Sequence, residues 1–542
     1  MIFEHRYNGS SKVASSSGQT GMSFVPDANR TPTYFVGTLN RRIPFREAIS
    51  ALHDVVVSDL RAPAKDPSDY QEWLASQEEI WLAEEMEKTA EIESRLQEVR
   101  GRINEMEVLR SKIMGPFYKA QQKYFSYLYR TDYKAWFLLD PVITVHPDEL
   151  FFECFSKDES SYARLSCNYN VFGKIGEFAC GTTNVDYSSE LYTEFQKIRG
   201  YRDTEFKVDP SGFEIQTADE DAFNEVKIDV PDSWVRGFLQ VSSAMTLPAY
   251  SFELHPMDVH NFCFVLRQKK ERQGPRSIRF ILKNGEPVRA VFEPWDTEVV
   301  CRRSIYQGED AEIRIWGRRR LLTLERLIPI AKSFRVFLTG SGMPSFYLAD
   351  LGDMTFTLGL SGWTANDWSR LGNFDLMAPR MEVDANTTQR VFAGLKETWR
   401  DDADSLAKRL GLDRKVVVGA LGVMTQAGRV IYDLNRQVYR VRELSRDPLP
   451  MDELRFENER ELIANRILSH GAAQVRAEDT PDGVRMQGVV RDGNRQFTPK
   501  LQLNTDEQLV RAECSCNFHQ QNKMRMGPCE HILAARLAHQ RK

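Results

Sequence analysis

Cys514 and Cys516 stand two residues apart, and after twelve intervening residues Cys529 and His531 repeat that spacing. Thiolate and imidazole are ligand types that zinc prefers, and three sulfurs with one nitrogen complete a tetrahedron. A closed tetrahedron leaves no position for water, so the chemistry predicted here is one structural Zn2+ with no catalytic role. In an extended chain the side chains at i and i+2 project to the same side, which lets Cys514 and Cys516 reach one ion. Gly527 and Pro528 halt the chain before the second pair. Cys529 and His531 then open the helix EHILAARLAHQ, whose N-terminal dipole favours thiolate over thiol. His519 and His539 are competing nitrogens, but one lies within the loop between the pairs and the other two turns down the helix. Neither is predicted to be a ligand.

The elements that must position this set are short. VRMQGVVR, RQFTPKLQL and LVRAECSC read as strands of a small sheet that delivers the first pair, and Ile532, Leu533 and Leu537 give the helix an apolar face to pack on it. The predicted module is of the ββα type and spans 470–542. So small a unit has little core, so metal binding and folding are expected to be one event. The remaining five cysteines, Cys154, Cys167, Cys180, Cys263 and Cys301, are isolated in apolar or strand-like settings and read as buried thiols, not as a disulfide framework.

Immediately upstream, residues 385–445 change to a helical period. TTQRVFAGLKETWR, DADSLAKRLG and RKVVVGALGVMTQAG read as three helices, with Gly411-Leu412 as a turn, Asp413 as an N-cap and Gly428 as a breaker. RVIYDLNRQVYRVREL then reads as a hairpin. This order is that of a winged helix-turn-helix. Arg414, Lys415, Gln426 and Arg429, with Arg436 and Arg440 on the wing, are the candidate nucleic-acid contacts. The outward positions of the third helix include Val418, Gly419 and Gly422, which cannot hydrogen-bond to base edges and suit close packing on another protein surface better.

The rest of the chain predicts an α+β multidomain protein. Residues 1–30 are Ser- and Gly-rich and read as a flexible arm, and 31–65 as a docking segment with a strand and the helix FREAISALHDVVVSDLR. From 66 to 126 Glu, Gln, Lys, Arg, Ala and Leu dominate, and Ile92, Leu96, Val99, Ile103 and Met106 are spaced 4, 3, 4, 3. That is a coiled-coil-like seam on one long helix or a helical hairpin, for packing within the chain or for a homodimer. Residues 127–380 read as an antiparallel β-rich body in which β-branched and aromatic residues alternate with polar ones. GFLQVSSAM and FCFVLRQ are counted among its strands.

Catalytic sets are not evident in that body. LTGSGMPS lacks the Lys-Ser/Thr of a phosphate loop and reads as a strand-end turn, and neither G-x-S-x-G nor H-E-x-x-H occurs. His255, His260, Asp258 and Glu253 lie close in FELHPMDVHNF and read as a polar loop beside a strand. The chain is therefore expected not to be an enzyme.

The pattern C-x-C, twelve residues, C-x-H and an apolar helix resembles the SWIM zinc finger, and CEHILAARL is similar to its second half. A winged helix ending in YRVREL directly before such a finger resembles the bacterial SWIM zinc finger family proteins. FVGTLNRRIPFREAISALHDVVVSDLR and FYLADLGDMTFTLGLSGWTANDWS are also similar to that family. The resemblance implies DNA or protein binding, and a non-enzymatic role beside a MoxR-type AAA+ ATPase and a von Willebrand factor A protein. Residues 385–542 carry 26 Lys/Arg against 21 Asp/Glu, whereas the whole chain has net charge −5, so the tail is mildly basic and the body acidic. This permits DNA contact by the tail without demanding it. No apolar stretch is long enough to span a membrane, and nothing at the N-terminus reads as an export signal, so cytoplasmic residence is expected. The function predicted is a zinc-binding scaffold or adaptor, with DNA binding by wing and finger as the alternative.

Overall fold

The computed structural model describes residues 12–15, 19–24, 33–58, 141–184, 195–201, 203–208, 232–269, 276–362, 368, 374–378, 383–444, 459–493 and 495–540. The coiled-coil expectation for 66–126 lies outside them. Residues 1–58 and 139–542 form one compact unit, and everything described below belongs to it.

The body is a mixed α+β structure with several antiparallel sheets. Its largest sheet has eight antiparallel strands, with Met354–Leu360 and Ser161–Asn168 side by side at its middle and Tyr250–Leu254 and Gly181–Asn184 at its edges. All seven residues of ELFFECF in the Glu149–Phe155 strand are buried, as expected of a strand covered on both faces. The helix Arg42–Val57 lies over it and buries Phe45, Ala48, Leu52, Val55 and Val56. A second, four-stranded antiparallel sheet is built from Thr297–Ile305, Pro287–Phe292, Ser277–Leu282 and Ala311–Trp316.

Four expectations are corrected. Part of the predicted arm is ordered: Lys12–Ser15 and Gln19–Phe24 form a hairpin, and Gln19–Phe24 runs parallel to Asp203–Val208. Phe24 is fully buried, with its ring 5.5 Å from Phe152 and 5.7 Å from Phe206, and that burial holds an otherwise polar segment in place. GFLQVSSAM belongs to a helix, Asp232–Met245, and FCFVLRQ to another, Pro256–Gln268. A short apolar run does not declare its period. In the second case His255 caps the helix, its Nδ1 accepting from the Met257 amide at 3.2 Å, and Pro256 occupies the first turn, where its missing N–H costs nothing. Asp258 is buried and accepts from Ser304 Oγ at 2.7 Å. The polar set around His255 is thus a helix start. LTGSGMPS is a turn between the paired strands Ser333–Leu338 and Ser345–Asp350, with Gly342 at φ 76°.

Residues 385–441 carry three helices, Ala385–Thr398, Ala403–Leu410 and Arg414–Gln426, then the hairpin of Val430–Asp433 and Val438–Val441. Each helix is capped by an aspartate: Asp384 accepts from Thr387 N at 2.9 Å, Asp402 from Ser405 N at 2.9 Å and Asp413 from Lys415 N at 2.7 Å. Gly411 closes the second helix at φ 63°, a left-handed conformation that glycine adopts without strain. Val391, Leu395, Leu406, Val417 and Leu421 form the core of this unit.

The C-terminal sheet contains two strands more than the three runs of the sequence suggest, because Ala473–Thr480 joins it and RQFTPKLQL divides into Arg495–Phe497 and Lys500–Leu503. Ala473–Thr480 pairs with Gly483–Asp492, which pairs with Lys500–Leu503, which pairs with Leu509–Glu513, and Arg495–Phe497 folds back on Gly483–Asp492. The helices Glu459–Ser469 and Glu530–Gln540 pack together beside it.

Candidate metal centre

Cys514 follows the end of the Leu509–Glu513 strand. Cys516 N-caps the short helix Asn517–Asn522, its Sγ accepting from the His519 amide at 3.4 Å. Cys529 and His531 flank the first residue of the helix Glu530–Gln540. Folding brings all four together: their ligand atoms lie within 4.8 Å of one another, and all four residues are buried. In a tetrahedron with metal–sulfur bonds of about 2.3 Å, sulfurs stand roughly 3.8 Å apart, so small side-chain adjustments close the set on one ion.

The protonation pattern has the same meaning. Proton sharing with the adjacent Cys529 sulfur holds Cys514 and Cys516 down to about 6 and about 5, while the same two neighbours raise Cys529. Three sulfurs are thus crowded around shared protons that a divalent cation would replace. Both ring nitrogens of His531 are buried without a hydrogen-bond partner. Glu530 Oε1 stands 3.4 Å from Nδ1 and Asp492 Oδ2 3.8 Å from Nε2, so whichever nitrogen meets the ion, a carboxylate faces the other. That is the outer-shell arrangement of metal-bound histidine. The residues fit a structural zinc, and a closed site of this kind supplies scaffold and no open coordination position.

Several residues around the centre escaped the sequence reading. Phe497 covers the imidazole at 3.9 Å between ring centroids. Arg460, from the helix Glu459–Ser469, donates to the Pro528 carbonyl at 2.9 Å and lies over the Phe518 ring at 4.8 Å, bringing a cation to the thiolate side of the site. Arg536 is 1% exposed. Its guanidinium donates to the carbonyls of Leu376 at 2.8 Å, Ala378 at 2.9 Å and Glu507 at 2.7 Å, pinning the helix Glu530–Gln540 to the body. A charged residue on the apolar stripe of LAARLAHQ was the only sequence signal for it. His519 is buried outside the ligand cluster, and His539 also lies outside it.

The six candidate nucleic-acid contacts are placed differently. Arg440 is fully buried and binds Asp433 at 2.8 Å, Asp148 at 2.9 Å and Glu149 at 3.4 Å. It is no surface cation of a wing, because the hairpin lies against the body strands and its charge is needed there. Arg436 pairs with Asp148 at 3.2 Å, Arg429 with Glu443 at 2.9 Å, and Arg414 with Asp404 at 2.8 Å and with Asp506. Gln426 is half-buried, and Lys415 is exposed. The third helix is covered as well: Val418, Gly419 and Gly422 are buried, and the body helix Asp232–Met245 packs against it. The three residues serve close packing, but within this chain and not on another protein as expected.

The hairpin junction is a network of opposite charges, with Arg164, Arg440, Arg442, Glu149, Glu153 and Asp433 buried at its centre and Asp148, Arg400 and Arg436 partly exposed at its edge. Asp148 receives Arg400 at 2.5 Å besides Arg436 and Arg440, Arg164 bridges Glu149 at 2.8 Å and Asp433 at 3.7 Å, and Arg442 pairs with Glu153 at 3.4 Å. Burial alone raises a carboxyl pKa, but Arg164 and Arg440 outweigh it at Asp433, which stays below the usual range. His146 is buried against the same cluster, its Nε2 2.5 Å from the Val441 carbonyl, and burial with the Arg440 charge lowers it to about 3.

No family model matches the chain, and no curated protein matches it. Among solved structures, Proliferating Cellular Nuclear Antigen from Entamoeba histolytica aligns over 41% of this chain and 89% of its own at 10% identity and a TM-score of 0.29. PCNA from Thermococcus kodakaraensis aligns over 41% and 90% at 11% identity and a TM-score of 0.28. Likeness at that level is too slight to define a fold. Among the described residues no helix is long and apolar enough to cross a membrane.

Proposed function

We propose that the chain is a non-catalytic zinc-binding adaptor, in which a winged helix and a SWIM-type finger form one C-terminal recognition unit. Its setting, on the resemblance to bacterial SWIM zinc finger proteins, is a cytoplasmic MoxR-type ATPase and von Willebrand factor A system. The observation that carries the reading is the fate of the third helix and the hairpin. The helix is buried against Asp232–Met245, and the arginines on and beside it, Arg414, Arg429, Arg436 and Arg440, are engaged by carboxylates. A major-groove reader needs that helix face and those cations free. A unit whose readers are turned inward acts instead as a rigid platform for other proteins.

The test has two arms with full-length, zinc-loaded protein. In the first, a mobility-shift titration on duplex DNA at 50 and 200 mM salt should give no strong salt-dependent shift, whereas a DNA-binding protein making several phosphate contacts loses about a thousandfold in affinity over that range. A tight shift abolished by Lys415→Ala would favour the DNA reading. In the second, co-expression with a MoxR-type ATPase should give a complex that co-elutes in gel filtration. Separate elution of the two proteins, with and without nucleotide, would remove that partner from the proposal.

A further inference from the structure

The C-terminal sheet has two faces with different chemistry. Val475, Met486, Val490, Leu501, Leu503 and Leu509 are buried on the face that meets the helix Glu530–Gln540. Side chains alternate along each strand, so the intervening residues line the other face. That face forms a groove of about 470 Å³ that crosses all four main strands.

Strand register fixes the order of charges across it. One row runs Arg476, Gln487, Lys500, Glu513, and the next runs Glu478, Arg485, Gln502, Arg511. Each strand therefore contributes one cation, alternately from the first row and the second, so that Arg476, Arg485, Lys500 and Arg511 zigzag across the sheet. All four are exposed, and none has an ion-pair or hydrogen-bond partner among the described residues. This contrasts with the arginines of the helix and hairpin unit, which are bound up internally. Arg485 faces Glu478 and Lys500 faces Glu513 directly across the strands, but Arg476 and Arg511 face only Gln487 and Gln502, so the concavity keeps a surplus of positive charge that no internal carboxylate matches.

We infer that this groove binds an extended acidic peptide segment carrying carboxylates at every second residue. Neighbouring strands lie about 4.8 Å apart, so the four cations span about 14 Å across the sheet. An extended segment crossing it, with alternate side chains about 6.6 Å apart, places about three carboxylates within reach of these long side chains. Single-stranded nucleic acid fits less well. Its binding grooves present aromatic platforms for the bases, and no aromatic residue lines this one. Glu478 and Glu513 also stand at opposite corners, where they repel a continuous polyanion but accept backbone N–H groups or a lysine of a peptide. The inference rests on the adaptor reading and names the chemistry of its partner.

The experiment uses full-length, zinc-loaded protein and a fluorescein-labelled peptide of alternating Thr and Glu, four of each, read by anisotropy. A peptide of the same composition with its glutamates in one block, and an oligothymidylate, serve as competitors. The alternating peptide should bind, more weakly as salt rises, and the blocked peptide should compete about fivefold less well. The pair Arg485→Glu and Lys500→Glu, at exposed positions away from the zinc ligands, should weaken binding at least about twentyfold with zinc content and thermal unfolding unchanged. The pair Arg476→Ala and Arg511→Ala should weaken it about fivefold, which keeps the test valid if the first pair disturbs folding. No binding at low salt, unchanged affinity in both variant pairs, or tighter competition by oligothymidylate through these arginines overturns the inference. Loss of the ATPase complex with peptide binding intact would remove the proposed setting and leave the groove standing.

Discussion

Replacing Arg536 by methionine tests whether the C-terminal module is anchored to the body or merely tethered. Methionine keeps the length and apolar stem of arginine but offers no donor. Three carbonyls, of Leu376, Ala378 and Glu507, lose their donor in a buried setting. Each bond from a charged donor contributes about 1.5 kcal/mol net, so Arg536→Met should cost about 4 kcal/mol. How that appears depends on what unfolds. Unfolding entropy runs near 2 cal/mol/K per residue, so a loss shared by the whole unit of 1–58 with 139–542 lowers its midpoint by about 4 °C. If residues 459–540 melt as a separate unit, the same cost lowers the midpoint of that unit by about 20 °C. Zinc release to a chromophoric chelator follows the module, and tryptophan fluorescence follows the body, where the fully buried Trp368 lies. Release well before the fluorescence change would show local melting, and coincident transitions would show one cooperative block. A shift under about 1 °C in both signals would refute the anchoring role, whichever way the unit melts.

Cys529→Ser should reduce bound zinc from one equivalent per chain to none by elemental analysis, and the segment 495–540 should become sensitive to protease; retention of both would exclude the ligand assignment. Arg440→Met strands Asp148, Glu149 and Asp433 without their shared cation and should destabilise by about 3–5 kcal/mol in urea unfolding, whereas the exposed Lys415→Ala should stay within about 0.5 kcal/mol. His146, lowered to about 3, stays neutral in the fold while an unfolded histidine protonates near 6.5. Stability is therefore intact above pH 6.5 and falls as pH drops from there toward about 3, by about 2 kcal/mol at pH 5, and His146→Phe should flatten this slope in thermal melts. His53, lowered to about 4 by burial and by Arg326, contributes with the same sign, so the variant keeps part of the slope.

What could be read from the sequence was local. The four ligands announced themselves because a metal tetrahedron demands particular residue types at close spacing, and the structure gathers them in one buried cluster. The helices of 385–426 showed because Asp413, Gly411 and the apolar period act within a turn or two of where they sit. The misread segments are those whose state is set from a distance. GFLQVSSAM and FCFVLRQ are apolar on most sides and become helical because strands and helices elsewhere bury them. Arginines raise the same difficulty. Asp433, seven residues from Arg440, lies at least as near to Arg436 and does not distinguish them, yet Arg440 is fully buried and Lys415 exposed, because the carboxylates that complete its burial begin with Asp148, 292 residues away. The groove cations follow from register, which a strand prediction does not supply.

The junction at Asp148 also sets a timetable for synthesis. The Glu149–Phe155 strand buries Glu149 and Glu153 in the middle of the body, and their guanidinium partners include Arg440 and Arg442, among the last residues of the hairpin. A ribosome adding about 5–20 residues per second takes roughly 15–60 s to travel from Asp148 to Arg440. Throughout that interval the growing chain holds apolar strands whose buried carboxylates lack part of their counter-charge. The body then reaches its final state only when the hairpin arrives, so a truncation before Arg440 loses more than the C-terminal unit and should leave an aggregation-prone chain in the body as well.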